Sequence, residues 1–241
     1  MFAEISPRYD FLNHVLSLNV DRLWRRRLVA KLALAPDARV LDVCTGTADL
    51  AIEIARRLGP EARVYGSDFT PEMLRLGHPK CLRAPGPLVS LIAADTLDLP
   101  FPDQTFDAVT VAFGIRNVID TDAALAELWR VLKPGGRVGI LEFSNSRVPG
   151  FRTAFHFYFH QILPRVGALV ASGEAGRSAY RYLPSSVAEF LAPEVLAQHM
   201  RTTGFTSVGH SSLSLGIAAI HIATRPLSPT VAEVPSGPIL S

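Results

Sequence analysis

Residues 39–50, Arg-Val-Leu-Asp-Val-Cys-Thr-Gly-Thr-Ala-Asp-Leu, give the clearest indication of the fold class of this 241-residue chain. Its apolar residues predict a buried strand that ends near Asp42, and Thr45-Gly46-Thr47 predicts a tight turn. Asp49 then falls in the first turn of a helix. In open α/β sheets such a turn brings backbone N–H groups and a helix N-terminus towards a ligand. The stretch therefore predicts a ligand site at the carboxyl end of a strand.

Strands and helices alternate along the rest of the chain. Further strands are predicted over 62–68, 88–94, 106–113 and 137–143, with helices over 71–80 and 120–132. A helix over 193–203 precedes two closing strands, 205–212 and 216–224, which we expect to form an antiparallel pair at one edge. This order is typical of an α/β fold with a doubly wound, mostly parallel sheet of seven strands.

The length favours one domain over residues 1–225. Within it, residues 1–35 predict an N-terminal helical cover, with a helix over 9–34, and residues 145–190 predict an aromatic helical insert. Residues 226–241 are rich in proline and serine, so we expect a disordered tail. Arg25, Arg26, Arg27 and Lys31 gather on the polar side of the first helix. The plain interpretation is a solvated face, and contact with anionic lipid or a charged substrate is the alternative.

The composition excludes several classes of protein. A formal net charge of +2 is too small to indicate nucleic acid as a partner. Two cysteines predict neither a disulfide framework nor a redox pair, which favours a cytoplasmic protein. No signal peptide and no membrane-spanning run is evident. His156 and His160 have helical spacing for a metal, but no third ligand accompanies them, so we expect no metal.

A methyl donor suits the turn better than a dinucleotide does. A dinucleotide turn carries G-x-G-x-x-G, whereas only Gly46 stands in this turn. S-adenosylmethionine has no pyrophosphate, but it needs an acid for its ribose hydroxyls and a polar group for its adenine amine. Asp68 lies 26 residues after Asp42, in the range of the ribose acid. Asp95 follows the third strand and could accept from adenine, and Thr47 could bind the amino-acid end of the donor.

Each of these residues has an alternative role. Asp68 could cap the following helix, and Thr47 could cap the helix that follows the first turn. Asp95 could form an Asx-turn within its own loop. Three such residues at successive strand ends are a more specific signal than any one alone.

Five stretches carry a family pattern. They are Ile5-Ser-Pro-Arg-Tyr-Asp-Phe-Leu-Asn13 with Leu16-Ser-Leu-Asn19 and Arg22-Leu-Trp24; the first turn; Leu99-Pro-Phe-Pro-Asp-Gln-Thr-Phe-Asp107; Phe113-Gly-Ile-Arg-Asn-Val118; and Arg130-Val-Leu-Lys-Pro-Gly-Gly136 with Leu141-Glu-Phe-Ser144. Together they resemble the ubiquinone/menaquinone C-methyltransferase family, over about residues 2–225. The Leu-Lys-Pro-Gly-Gly turn is common to many class I methyltransferases, whereas the first and fourth stretches are more specific.

The resemblance implies a class I S-adenosylmethionine-dependent methyltransferase. By resemblance the donor contacts are Thr47, Asp68 and the Asp95-Thr96 pair, and we add Gly46 and Asp42 of the first turn as donor-binding residues. One departure concerns the turn, where the family has three closely spaced glycines and this chain has Cys44, Thr45 and Ala48 at such positions. Non-glycine residues resist positive φ. We therefore expect either weaker donor binding or a reshaped turn.

The resemblance also implies an acceptor, the ring carbon of a prenylated hydroquinone. Arg116 and Asn117 follow the fourth strand, where Arg116 would stabilise the developing phenolate and Asn117 would orient it. Alternatively, Arg116 pairs with an acid and Asn117 caps a turn. The N-terminal segment covers the active site in similar enzymes, so Tyr9 is expected to line the acceptor pocket, with core packing as the alternative.

We therefore predict methylation of demethylmenaquinol or of a ubiquinone precursor. A methyltransferase for another small phenolic metabolite and a non-catalytic binding relative are the alternatives. The aromatic residues over 151–163 indicate either core packing or an interfacial helix that admits the prenyl tail. We expect peripheral contact with the inner face of the cell membrane. A homodimer is compatible with the sequence, which does not fix the oligomeric state.

Overall fold

The computed structural model describes residues 19–144, 146, 148 and 190–227. The helices are α1 (Val20–Leu32), α2 (Asp49–Ala55), α3 (Pro71–Arg83), α4 (Thr121–Val131) and α5 (Pro193–Thr202). The strands are β1 (Arg39–Val43), β2 (Arg63–Asp68), β3 (Val89–Ala93), β4 (Phe106–Ala112), β5 (Leu132–Phe143), β6 (Thr206–Leu213) and β7 (Ala218–Thr224). Short 3₁₀ turns lie at Ile115–Asn117 and Ser214–Gly216.

These strands form one seven-stranded sheet in the order β3-β2-β1-β4-β5-β7-β6. The first five strands are parallel, whereas β7 runs antiparallel to β5 and to β6. The predicted sheet and its antiparallel edge are thus confirmed. The strand order reverses direction between β1 and β4, which makes the carboxyl ends of these two strands the topological switch point.

Helices cover both faces of the sheet because each turns an apolar stripe inwards. On one face, Trp24 and Leu28 of α1 pack in a core that also contains the apolar residues of α2. A Cβ at Gly139 of β5 would lie 2.8 Å from a Leu28 methyl group, so this glycine permits close approach of α1. On the other face, Leu128 of α4 and Met200 of α5 share a second core. The result is a three-layer α/β/α arrangement.

One strand is longer than the sequence predicts. A strand was expected from Arg137, but pairing already begins at Leu132, which lies opposite Phe106. Regular pairing then resumes only where Arg137 lies opposite Ala108. The residues between form the turn that ends α4, with Gly135 at a φ of +79°. Turn residues break the register here without separating the strands.

Several predictions fall outside the described residues. These include residues 1–18 of the predicted cover, most of the predicted insert over 145–190, and the tail beyond residue 227. The first helix is therefore observed only from Val20 to Leu32. Across the parts of the chain that are described, no helix combines the length and apolarity that a bilayer crossing requires.

Candidate active site

A cavity of about 340 Å³ opens at the switch point, and we call it the main cavity. The loops after four neighbouring strands line it. The chain after β1 contributes Cys44 and Gly46, and the end of β2 with its loop contributes Asp68, Phe69 and Thr70. The loop after β3 contributes Asp95, Thr96 and Leu97. The loop after β4 contributes Phe113, Gly114, Asn117, Val118 and Ile119. The size lies within the range of small-ligand sites. The fold thus gathers four of the six predicted donor residues and Asn117 around one space.

Every second residue of the first turn, from Cys44 to Ala48, has a left-handed backbone conformation. Cys44, Gly46 and Ala48 have φ values of 51°, 57° and 69°, all in the left-handed region. Two non-glycine residues therefore adopt the conformation that glycine favours, at a strain of roughly 1–2 kcal/mol each. The turn thus has positive φ at two of the positions where glycine is missing. Weaker donor binding stays a prediction.

Gly114 makes room for the side chain at position 44. A Cβ added at Gly114 would overlap the Cβ of Cys44, so the loop after β4 passes directly over the turn. The Cys44 sulfur lies 3.4 Å from the Thr96 hydroxyl. Burial raises the pKa of the Cys44 thiol to about 12, so the group stays neutral at physiological pH. Cys44 therefore contributes a small, neutral side chain to the wall of the main cavity.

Asp68 holds the turn and also faces the main cavity. One carboxylate oxygen accepts from the Gly46 N–H at 2.8 Å, and the other accepts from the Thr70 N–H at 2.8 Å. Burial raises the pKa of Asp68, and these two hydrogen bonds oppose the rise. A carboxylate has about four acceptor sites, so Asp68 can still accept from ligand hydroxyls. Thr70 occupies the N-cap position of α3, so Asp68 does not cap that helix, and its ligand role stays a prediction.

Asp95 and Thr96 form the next part of the wall. The Asp95 carboxylate accepts from the Leu97 N–H at 2.9 Å, which is the Asx-turn that the sequence offered as the alternative. Its second oxygen has no hydrogen bond within the described chain and can accept from a ligand amine. Thr96 is buried against Cys44 and borders the same cavity.

Asp42 lies beneath the turn rather than on the main cavity. It is fully buried and accepts from the hydroxyls of Thr45 at 2.6 Å and Thr110 at 2.7 Å. Burial raises its pKa to about 6, although both hydroxyls act in the opposite direction. Asp42 thus ties the turn to the neighbouring strand. It also borders a space of about 30 Å³ next to Gly46 and Thr47, which we call the inner cavity.

Thr47 does not cap the helix after the turn. Ala48 occupies the N-cap position of α2, with no hydrogen bond from its side chain. The Thr47 hydroxyl instead accepts from the Lys80 ammonium at 2.9 Å, and the same ammonium lies 2.5 Å from the Asp49 carboxylate. A lysine of α3 therefore fixes the start of α2.

Arg25 corrects the interpretation of a solvated face on α1. Its side chain is buried, forms an ion pair with Asp21, and borders the inner cavity. Arg26 and Arg27 are exposed, as expected. The reason is helical spacing, since Arg25 precedes the buried Leu28 by three residues. A positive charge thus stands beside the turn, where a ligand carboxylate would be attracted.

Arg116 and Glu142 form a buried ion pair at the ends of β4 and β5. The guanidinium lies 2.7 Å from the carboxylate, and the two side chains are 6% and 2% exposed. The same guanidinium nitrogen donates to the Phe113 carbonyl at 2.5 Å. Burial raises the pKa of Glu142, and Arg116 opposes the rise. Within the described residues, the Arg116 Nε atom has no hydrogen-bond partner.

Of the two predicted acceptor residues after β4, Asn117 and Arg116, only one has its side chain at the main cavity. Asn117 borders the main cavity, whereas the Arg116 side chain lies behind it against Glu142. The alternative pairing of Arg116 with an acid is observed. Tyr9 lies outside the described residues, as do His156 and His160, so their predicted roles stay predictions.

Sequence reasoning assigned no site role to Glu142 and Lys80, and it placed Arg25 on a solvated face, with contact to lipid or a charged substrate as the alternative. Glu142 could have been singled out, because it is an acid within the otherwise apolar run over 138–143. The burial of Arg25 could have been inferred from its helical spacing to Leu28. No sequence pattern singles out Lys80, because its contact with Thr47 depends on how α3 packs. The packing is close: a Cβ at Gly77 would lie 2.9 Å from the Thr47 backbone.

The cavities fit S-adenosylmethionine by size and by chemistry. Asp68 and Asp95 present acceptors to hydroxyl and amine groups, and Arg25 presents a cation towards an amino-acid carboxylate. A solved S-adenosylmethionine-dependent methyltransferase from Aquifex aeolicus has a TM-score of 0.59 and 18% identity over 83% of this chain and 89% of that one. Fold and site together define a class I S-adenosylmethionine-dependent methyltransferase.

Sequence comparison then gives the family. The chain belongs to the ubiE/COQ5 methyltransferase family, which it matches over residues 1–225. It is 50% identical to demethylmenaquinone methyltransferase of Deinococcus radiodurans, over 93% of this chain and 91% of that protein. It is 47% identical to the ubiquinone/menaquinone biosynthesis C-methyltransferase UbiE of Geotalea daltonii, over 93% and 94%. The family expected from the sequence motifs is confirmed.

Proposed function

We propose that this methyltransferase adds a methyl group to a ring carbon of demethylmenaquinol and so forms menaquinol. One observation carries the proposal: the main cavity joins an acidic donor side to an apolar mouth. Asp68 and Asp95 lie on the donor side, and Phe69 and Ile119, which are 76% and 94% exposed, border the same cavity. A ubiquinone precursor is the second acceptor, because relatives such as the Geotalea daltonii protein carry both quinones in their name.

The proposed donor side uses the residues around the first turn. Asp68 accepts from the ribose hydroxyls, and the Asp95-Thr96 pair binds the adenine edge. Gly46 and Thr47 contact the amino-acid end, with the Arg25 charge nearby and Asp42 holding the turn from below. When bound, S-adenosylmethionine supplies an electrophilic methyl group on a sulfonium.

The proposed acceptor side prepares the ring carbon for attack. That carbon becomes nucleophilic when a neighbouring hydroxyl loses its proton, so the site must stabilise a phenolate. Asn117 orients the phenolate oxygen from the cavity wall, and Tyr9 lines the pocket from the N-terminal segment. Arg116 supplies positive charge from behind Asn117, since Glu142 holds it at the end of β5. Positioning two reactants in line supplies much of the rate.

The acceptor tail places the reaction at a lipid surface. A polyprenyl chain partitions into a bilayer, so we propose peripheral contact at the inner face of the cell membrane. The exposed side chains of Phe69 and Ile119 are available to meet an apolar ligand there.

Incubation with methyl-labelled donor and reduced demethylmenaquinone tests the function. Label should appear in the extracted quinone, and the Asp68→Asn variant should give none. Label in a small phenol but not in the quinone would favour a different acceptor. Donor binding by calorimetry, with no label transferred to either acceptor, would favour a non-catalytic relative.

A further inference from the structure

A second large cavity lies between α1, α2 and α3, apart from the proposed reaction site. Its volume is about 400 Å³, and we call it the basic cavity. Its charged lining consists of the cations Arg22, Arg25, Arg26, Arg56, Lys80 and Arg83 and the anions Asp49 and Glu53. The proposed methyl transfer assigns no role to most of these side chains.

The basic cavity holds more positive charge than the whole chain. Its lining carries a formal charge of +4, whereas the chain carries +2. Glu53 cannot neutralise its neighbours, because three guanidinium groups share it at 3.2–3.8 Å: those of Arg26, Arg56 and Arg57. Arg22 and Arg83 have no ion pair within the described chain. Arg25 and Lys80 are paired with Asp21 and Asp49. The excess positive charge of the lining therefore lies with Arg22, Arg83 and the guanidinium groups that share Glu53.

The chemistry of the lining selects the ligand. Planar guanidinium groups bind phosphate oxygens in pairs, and clustered arginines are the usual recognition device for phosphate. We propose that the basic cavity binds a phosphate group, carried either by the headgroup of an anionic phospholipid or by a free phosphate. Arg25 and Asp49 border both this cavity and the inner cavity, so the phosphate lies close to the first turn. The inference stands without the proposed acceptor, because binding is measured in the absence of donor and quinone.

Vesicle binding tests the lipid source. The full chain is sedimented with vesicles of phosphatidylcholine alone and of phosphatidylcholine with about one third phosphatidylglycerol. We expect preference for the anionic vesicles. The double variant Arg22→Glu/Arg83→Glu should lose at least about tenfold in partitioning. The matched control is Arg27→Glu/Arg63→Glu, which changes the net charge equally at exposed sites outside the cavity lining.

Titration with inorganic pyrophosphate tests the free source. Binding by wild type and by the control pair, but not by Arg22→Glu/Arg83→Glu, supports the site. If this occurs without preference for anionic vesicles, the source is a free phosphate. Equal losses in the two double variants would overturn the proposal, since they would indicate attraction by net charge alone. Absence of both vesicle preference and pyrophosphate binding in wild type would also overturn it.

Discussion

The Arg116 guanidinium and the Glu142 carboxylate meet 2.7 Å apart, buried at the carboxyl ends of two adjacent strands. The loop between them and the main cavity contains Phe113, whose carbonyl accepts from the same guanidinium, and Asn117, which borders the cavity. The ion pair therefore fixes the acceptor-side loop as well as a positive charge. These two contributions can be separated by mutation.

Arg116→Ala should lower kcat by roughly a hundredfold or more, because stabilisation of a developing phenolate is lost. Donor affinity, measured by calorimetry, should change much less. Equal losses in turnover and in donor affinity would argue against an acceptor-side role.

Arg116→Ala alone also leaves Glu142 buried without its cation, at a cost of about 3–5 kcal/mol in stability. The double variant Arg116→Met/Glu142→Gln removes both charges and serves as the control. It should recover most of the unfolding free energy in urea while turnover stays low. Recovery of turnover together with stability would show that Arg116 acts only through the fold.

Asp68→Ala should weaken donor binding at least about a hundredfold, since two charge-assisted hydrogen bonds to ligand hydroxyls disappear. Calorimetry with S-adenosylmethionine measures the loss, and circular dichroism checks that the fold is kept. Asp37→Ala, an exposed change before β1, is the matched control. Wild-type affinity in Asp68→Ala would refute the ribose assignment.

Asp42→Asn should change how stability depends on pH. Burial raises the pKa of Asp42 from 3.8 to about 6, so the folded state keeps a proton that the unfolded state releases. The contribution of Asp42 to stability therefore falls as pH rises from about 4 to 6, by up to about 3 kcal/mol. Asp42→Asn cannot titrate and should gain on wild type across this window in urea unfolding. Asp37→Asn should follow wild type, and a parallel curve for Asp42→Asn would contradict the prediction.

Ala48→Gly should change the unfolding free energy by less than about 1 kcal/mol, because relief of left-handed strain offsets the entropy of glycine and the lost methyl group. Ala51→Gly in the same helix has no such strain to relieve. It should cost about 2 kcal/mol. Thermal and urea unfolding of the pair give the comparison, and equal costs would show that the turn at Ala48 is unstrained.

The sequence predicts this fold well where the signal is local. Apolar runs ended by Asp68 and Asp95 place the strand ends, and the motif around Gly46 places the turn. Contacts between distant elements are harder, because periodicity does not say which side chains meet. The Lys80 contact with Thr47 depends on the packing of α3, and the Glu142 partner of Arg116 depends on which strand lies beside β4.

The positive φ of Cys44 and Ala48 could not be predicted either. Local preference opposes that conformation at both residues, and the surrounding packing overrides it. The sequence showed that glycines were missing, but not how the backbone would respond.

The close approach of Gly114 to Cys44 has a consequence for how this chain can change over generations. While residue 44 carries a side chain, residue 114 has no space for one. An alanine at position 114 fits only after Cys44 has become glycine, so the two substitutions must occur in that order. The positions are epistatic, and a scan of single substitutions would score Gly114 as immutable although its constraint resides in Cys44.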